Sequence, residues 1–367
     1  MVKQRGSALV LMILISALIS IVAVRIFVGL TLDSRRTINI IDSDRAYYYA
    51  LGAEELALQL LKDSFKNQSK EDSNKVHLGQ PWAQKGMIFP IDGGQLAGEI
   101  NDMSACFNLN SILGKSRQKG SRNKKSAGSL NDTDADTGLA LSLNSNKPAD
   151  GQVLLEELFK QLLPDAEYSP KVLAGRVRDW LDSDDQPYEP DGAEDSEYQV
   201  SEIPYRAGNT LIGSVEELRT IAGFDADMVE IVAPYLCALP SVEMNQLNVN
   251  TVDLNHPELL MMLYKNLSIE DANDILQSRP ASGYDQSSFT DKLAKEIKLR
   301  PEAAGLISFD SDRFMINAEA VVGRGRARLQ SLIERGEKGN FSVIARKFAS
   351  NFGKQPQSKT EAEDSPL

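Results

Sequence analysis

The chain is poor in the side chains that most enzymes use for chemistry. It holds two cysteines, Cys106 and Cys237, and two histidines, His77 and His256, in 367 residues. Two distant thiols do not make a cysteine-based zinc site without other ligands. Both histidines stand in polar stretches with no partnered nucleophile. The motifs G-x-S-x-G, H-E-x-x-H and the Walker phosphate loop are missing. These gaps point away from an enzyme. Positive charge is also in deficit: 40 Lys and Arg face 52 Asp and Glu, a net charge of −12. That sign opposes binding along a nucleic-acid backbone and suits cations or basic protein surfaces. The 42% hydrophobic content is ordinary for a folded protein, and the length allows one large domain or two to three smaller ones.

Charge is missing altogether from Ser7 to Val24. Lys3 and Arg5 precede this run, Arg25 interrupts it, and Ile26–Leu32 is apolar again. A run of that length spans a membrane as a helix, and the basic flank keeps its N-terminal end in the cytoplasm. No A-x-A-like cleavage site follows the run. Instead, Gly6 sits between the basic leader and the apolar segment. Cutting after Gly6 would leave the helix on the mature chain with Ser7 first; an uncut signal anchor is the plainer alternative. Thr31 to about Lys66 has no Pro and carries Ile38, Ile41, Tyr48, Leu51, Leu56 and Leu60 at helical spacing. One helix over 7–66 is therefore expected, its membrane part at 7–32.

Beyond it, Met87–Ile91 and Gln95–Asn101 are β-like runs split by the turn signal Asp92-Gly93-Gly94. Segment 111–150 reads as a disordered insertion, basic and then acidic, and 354–367 as a disordered tail. From Val153 to about Phe309 short helical patterns follow one another, among them 153–164, 170–182, 214–223, 225–240, 256–267, 269–279 and 291–299. Arg313–Val322, Arg326–Glu334 and Asn340–Lys347 alternate like strands. The expectation is an α+β fold. A long N-terminal helix and a small antiparallel sheet (67–110 and 311–353) would host a large α-helical domain (151–310) inserted between strands. For an exported chain a Cys106–Cys237 disulfide, tying the sheet region to the insert, is expected; two unrelated buried thiols are the alternative.

Cations are missing a third time, from Asp179 to Glu202, where ten carboxylates stand without a Lys or Arg. Pro187, Pro190 and Gly192 make this a loop, while Trp180, Leu181, Tyr188, Tyr198 and Val200 give it apolar anchors. Carboxylates crowded on an ordered loop repel unless protonated or bridged by a cation. Calcium, with six to eight oxygen ligands in irregular geometry, suits this better than magnesium. The spacing is not that of an EF-hand.

A basic leader ending in Gly, followed by an uncut apolar helix, resembles the prepilins of type IV pili and type II secretion systems. In that family a peptidase cuts after the Gly and methylates the new amine, which here would be that of Ser7. Most members carry Glu at the fifth mature position, where this chain has Leu11. In that respect it is similar to the K-type minor pseudopilins of type II secretion, which also have a pilin fold with a large helical insertion. A buried Glu without a partner is costly, so Leu11 suits a subunit with nothing above it. The stretches WLDSDDQPYEPDGAED and IPYRAGNTLIGSVEELRTIAG look like the region that binds calcium in that group. The resemblance implies Asp182, Asp184, Asp191, Glu194 and Asp195 as ligands, with Asn209 a further candidate. It also implies a tip position, initiating or capping the pseudopilus for export across the outer membrane. The partners implied are I- and J-type minor pseudopilins, the prepilin peptidase, the inner membrane, the secretin and secreted substrates, with the bulk of the chain in the periplasm and no nucleic acid.

Leu247–Phe289 supports a different reading. Its LNVNT start and paired helical patterns look like helix-hairpin-helix modules, which bind DNA phosphates. A signal-anchored periplasmic DNA-binding protein is the alternative. Against it, the hairpin KNLSIED has no Gly and carries Glu270 and Asp271, the wrong donors and the wrong charge.

Overall fold

A single helix, α1 (Ser7–Lys66), runs for 60 residues, about 90 Å at the α-helical rise. The structure is a computed structural model and describes residues 7–66, 75–114, 149–188, 192–200, 202–336 and 339–348. The insertion from residue 115 to 148, the tail from residue 349 and the leader with Gly6 lie outside the described residues.

Eleven strands follow among the described residues. Five form one antiparallel sheet: β1 (Met87–Ile91), β2 (Gly94–Asp102), β9 (Arg313–Val322), β10 (Gly325–Arg335) and β11 (Phe341–Phe348), in that spatial order. The other six pair in twos: β3 (Phe107–Asn108) with β4 (Leu236–Cys237), β5 (Leu247–Asn248) with β8 (Ile307–Ser308), and β6 (Tyr264–Lys265) with β7 (Lys298–Leu299). The main sheet alternates buried and half-exposed side chains along β9, as expected when one face is covered.

The second half of α1 covers that face. Ala46, Ala50 and Ala53 pack on Ala318, Ala320, Leu96 and Leu329. Small residues on both partners let helix and sheet backbones approach closely. Further along, Leu58 and Leu61 join Trp82, Ile100, Phe314, Ile316 and Ile333. One charge pair locks the interface. Glu54 of α1 is buried and accepts from Arg346 Nε at 2.7 Å and Nη2 at 2.8 Å, and also from Ser331 Oγ. Burial alone would raise its pKa, but these donors outweigh it and hold Glu54 below the usual carboxylate range. At the β9–β10 turn Gly323 has φ 52° and faces the Asp42 carboxylate, so a side chain there would be strained and would collide.

Between β2 and β9 the chain leaves the sheet and builds the helical domain. Its helices are α2 (Asp150–Leu162), α3 (Pro170–Leu181), α4 (Asp195–Tyr198), α5 (Ala226–Val232), α6 (Glu258–Met261), α7 (Ile269–Gln277) and α8 (Gln286–Thr290). Leu154, Leu155, Leu158 and Phe159 of α2 and Leu173, Val177 and Trp180 of α3 head its core. Cys106 and Cys237 are disulfide-bonded, with Cα atoms 5.8 Å apart across the β3–β4 pair.

Several sequence expectations shift. Segment 291–299 is not a helix: it makes turns and ends in β7, paired with Tyr264 and Lys265. Pro301 follows, and Arg300 before it is extended with ψ 144°, so pairing and proline override helical propensity. Segment 214–223 forms only a 3-10 helix over Val215–Thr220, and 256–267 keeps one α-turn in α6. Ser111–Gly114, expected in the insertion, belong to the folded part, with Ser111 and Ile112 fully packed. Phe107 and Leu109, expected in the sheet domain, join the core of the helical domain.

Two outcomes check this packing. Glu54→Gln should cost about 1–2 kcal/mol, a charged hydrogen-bonded pair discounted for the exposure of Arg346. Because the folded pKa is depressed, that contribution is complete above the unfolded value of about 4.3 and fades as pH falls through the lower folded value. Urea titrations of the two proteins should differ at pH 7 and converge in acid. The disulfide closes a segment of 131 residues, so the Cys106→Ser/Cys237→Ser double variant should lose about 3–5 kcal/mol, read as a fall in urea midpoint.

Candidate metal centre

Helix α3 starts at an N-cap, Ser169, whose hydroxyl accepts from Val172 N, with Pro170 at its first turn. Its C-terminal end delivers two carboxylates into the acidic loop. Asp179 is fully buried, and both its oxygens are used: Oδ1 accepts from Tyr188 N at 3.0 Å and Oδ2 from Ala193 N at 2.9 Å. It fastens the loop from beneath. Burial pushes Asp179 up to about 6 in spite of these donors. Gly192 is needed here, since a Cβ at that position would collide with Asp179 and Pro187.

One turn on, Asp182 caps α3 with its backbone N–H on Arg178 O. Its side chain is buried; Oδ2 lies 3.7 Å from Arg178 Nε, and Oδ1 has no hydrogen-bond partner. Glu194, just before α4, is 2% exposed, and neither of its oxygens has a hydrogen-bond partner. Asp184 is exposed and accepts from Gln186 N at 2.9 Å. One oxygen from each of Asp182, Asp184 and Glu194 falls within 4.8 Å of the others.

The electrostatics follow from that crowding. Burial, then Asp179, Asp182, Asp184 and Asp185, pushes Glu194 up to about 8. Burial, then Asp184 and Asp179, pushes Asp182 up to about 7. Arg178 is the buried cation beside Asp182, and it is shared: it lies 4.0 Å over the Tyr188 ring and donates to Gln152 Oε1 at 3.2 Å. Three converging carboxylates, two of them with unpaired buried oxygens, are costly unless a proton or a cation joins them. The donors are all hard oxygens, so the set fits a hard divalent cation, with backbone carbonyls and water completing six to eight ligands.

Of the five residues implied as ligands, Asp182, Asp184 and Glu194 come together. Asp191 lies outside the described residues. Asp195 is not in the cluster: Oδ1 accepts from Ala207 N at 2.9 Å and Oδ2 lies 3.7 Å from Arg206, which ties down the following loop. Asn209 in that loop has φ 42° and a buried side-chain oxygen without a partner. Leu11 lies exposed on α1, and Ser7 begins that helix.

A second polar centre escapes sequence reasoning. At the root of the insertion Asp102 is buried, and its Oδ2 accepts from Thr251 Oγ1 at 2.6 Å, Ser311 Oγ at 2.5 Å and Asn248 Nδ2 at 3.3 Å. Asn248 also donates to Val76 O at 3.0 Å, and Asn250 brackets Tyr284, accepting from its N–H and donating to its carbonyl. The LNVNT motif therefore faces inward. Its side chains join the two domains and present no donors to a phosphate backbone, so the DNA-binding reading finds no support. Two side-chain amides and a hydroxyl within four residues were the available signal.

Comparison with known proteins agrees with this architecture. The family model described as type II secretion system (T2SS), protein K, first part, matches residues 105–241, and the further model for protein K matches residues 247–298. The chain is 32% identical to the type II secretion system protein K of Aeromonas hydrophila, over 94% of this chain and 97% of that one. It is likewise 32% identical to protein K of Klebsiella pneumoniae, again over 94% and 97%. Among solved structures it is similar to a chain in the GspK-GspI-GspJ complex of enterotoxigenic Escherichia coli. There the TM-score is 0.65 with 28% identity, covering 86% of this chain and all of that one. A long helix on a five-stranded sheet, a helical domain set between two of its strands, and these matches over nearly the whole length together make this chain a member of the type II secretion system protein K family.

Proposed function

We propose that this chain is a minor pseudopilin at the tip of the type II secretion pseudopilus. There it assembles with I- and J-type minor pseudopilins to initiate or cap the filament during protein export across the outer membrane. The observation that carries this is the likeness, over 86% of the chain, to a chain solved in a GspK-GspI-GspJ complex. The architecture suits the role. Helix α1 has one stretch long and apolar enough to cross a membrane, and it holds the chain in the inner membrane before assembly. Above that stretch Ile38, Ile41 and Tyr48 are exposed on one side of the helix, an apolar face that partner helices would cover. Leu11 replaces a carboxylate that a terminal subunit would leave unpaired. Cutting after Gly6, methylation at Ser7, and contacts with secretin and cargo belong to the same reading.

Calcium is the cation we assign to the acidic loop. Asp182, Asp184 and Glu194 would hold it. Its charge would offset theirs and fix the loop between α3 and α4, with no catalytic step.

Two measurements test these assignments. Chain extracted from membranes through an affinity tag should bring I- and J-type pseudopilins with it, and Ile41→Asp should abolish their recovery without lowering the melting temperature. Recovery unaffected by Ile41→Asp would move the contact elsewhere. Chelation at pH 8 should lower the melting temperature, with re-added calcium restoring it. Glu194→Gln should shrink that response. It removes a charge whose folded pKa is raised, so it stabilises the chelated protein above pH 4 and weakens the calcium-loaded one. A melt insensitive to chelator would contradict a structural ion.

A further inference from the structure

We infer that Arg25 binds a lipid phosphate at the outer headgroup layer and thereby fixes how deep α1 sits in the membrane. The inference rests on the membrane-anchor reading above and adds the group that sets its register.

Arg25 is the only charged residue from Ser7 to Leu32. It is exposed. The next charged residue, Asp33, lies 3.7 Å from Arg36 and is committed there. Hydroxyls along the same stretch turn back on the helix: Ser20 Oγ donates to Ser16 O at 2.9 Å, and Thr31 Oγ1 to Phe27 O at 2.8 Å. They need no water. Arg25, with five N–H donors in a planar fork, is the one side chain of the stretch that brings a full charge. That fork matches a phosphate group bidentately.

Length separates the two registers open to the helix. From Ser7 to Arg25 it rises about 27 Å, close to the roughly 30 Å of a bilayer's hydrocarbon core. From Ser7 to Asp33 it rises about 39 Å, which fits only at a tilt of about 40°, the extreme for membrane helices. With the basic flank holding the inner end in the cytoplasm, the short span puts Arg25 among the outer headgroups. The long span would bury its guanidinium in hydrocarbon without a partner. The short register lifts Phe27, Leu30 and Leu32 clear of the hydrocarbon, where they extend the exposed apolar face of α1.

The test uses the full chain in vesicles of phosphatidylethanolamine and phosphatidylglycerol, spin-labelled at single introduced cysteines. The native pair is disulfide-bonded and does not label. Accessibility to oxygen and to a polar nickel complex gives depth. The label at Val22→Cys should lie in hydrocarbon and the label at Leu30→Cys in the headgroup layer. Arg25→Leu should draw the helix inward until Asp33 marks the boundary, a shift of about 12 Å along the helix axis, while Arg25→Lys holds the original depth. Vesicles of a phosphate-free galactolipid of equal chain length should reproduce the Arg25→Leu shift. Leu30 immersed in the unsubstituted chain, or depth unchanged by Arg25→Leu, overturns the proposal. Depth unchanged in galactolipid does so as well, since water alone would then satisfy Arg25. A boundary at Arg25 found only after I- and J-type pseudopilins are added assigns it to a partner's carboxylate and also overturns it. Extraction of the chain by alkaline carbonate would instead show that the anchor reading itself fails.

Discussion

Two strands that lie side by side in one sheet, β2 and β9, are joined through an entire domain, and a single buried carboxylate holds the two ends of that excursion. Ser311, 209 residues after Asp102, donates to it. Asn248 and Thr251 reach it from the inserted domain, and Ser104 N from the departing chain. Burial pushes the Asp102 carboxyl above its usual range against all of these donors. Such a knot is worth having only when every member is satisfied. Here it converts a loose insertion into a seated one: Val76, next to the sheet domain's α1, is tied to Asn248 by the same amide. The disulfide repeats the connection in covalent form a few residues further on, between Cys106 and Cys237. The helical domain is thus braced twice where it leaves the sheet. A domain carried at the end of a long helix needs such bracing if it is to present a defined surface to its neighbours.

The acidic loop follows the opposite logic. Asp179 is buried and satisfied by two backbone amides, whereas Glu194 is buried with neither oxygen paired. Among the described residues, local rules are broken where three carboxylates converge, and functional sites are where such exceptions gather. A cation bound there, as proposed above, would relieve that crowding without further protein contacts. Trp180 and Tyr198 pack edge to face beside it, with ring centroids 5.3 Å apart. The loop is therefore anchored by aromatic packing on one side and lined by unpaired carboxylate oxygens on the other.

Much of this was legible in the sequence. The strands of the main sheet were readable because period-two alternation meets glycine turns at Gly93 and Gly323. The 60-residue helix was readable because it has no Pro and Gly52 is its only breaker after residue 30. What failed to show was tertiary. Segment 291–299 has helical composition, but β6 claims Leu299 for a strand pair. Phe107 and Leu109 sit close to β2 in sequence yet pack into the inserted domain's core. In the acidic loop the sequence marked the carboxylates but not their roles. It could not separate Asp182, Asp184 and Glu194, which converge, from Asp195, which holds Ala207 N, nor from Asp179, which holds the loop. Composition counts charges; only the backbone path decides which of them meet.

Processing and assembly as a pseudopilin subunit, the role proposed for this chain, can be read from the intact N-terminal mass of the mature protein from its native membrane. A prepilin would begin at Ser7 with a methylated amine. A chain still beginning at Met1, or one cut after the apolar run, would contradict that role.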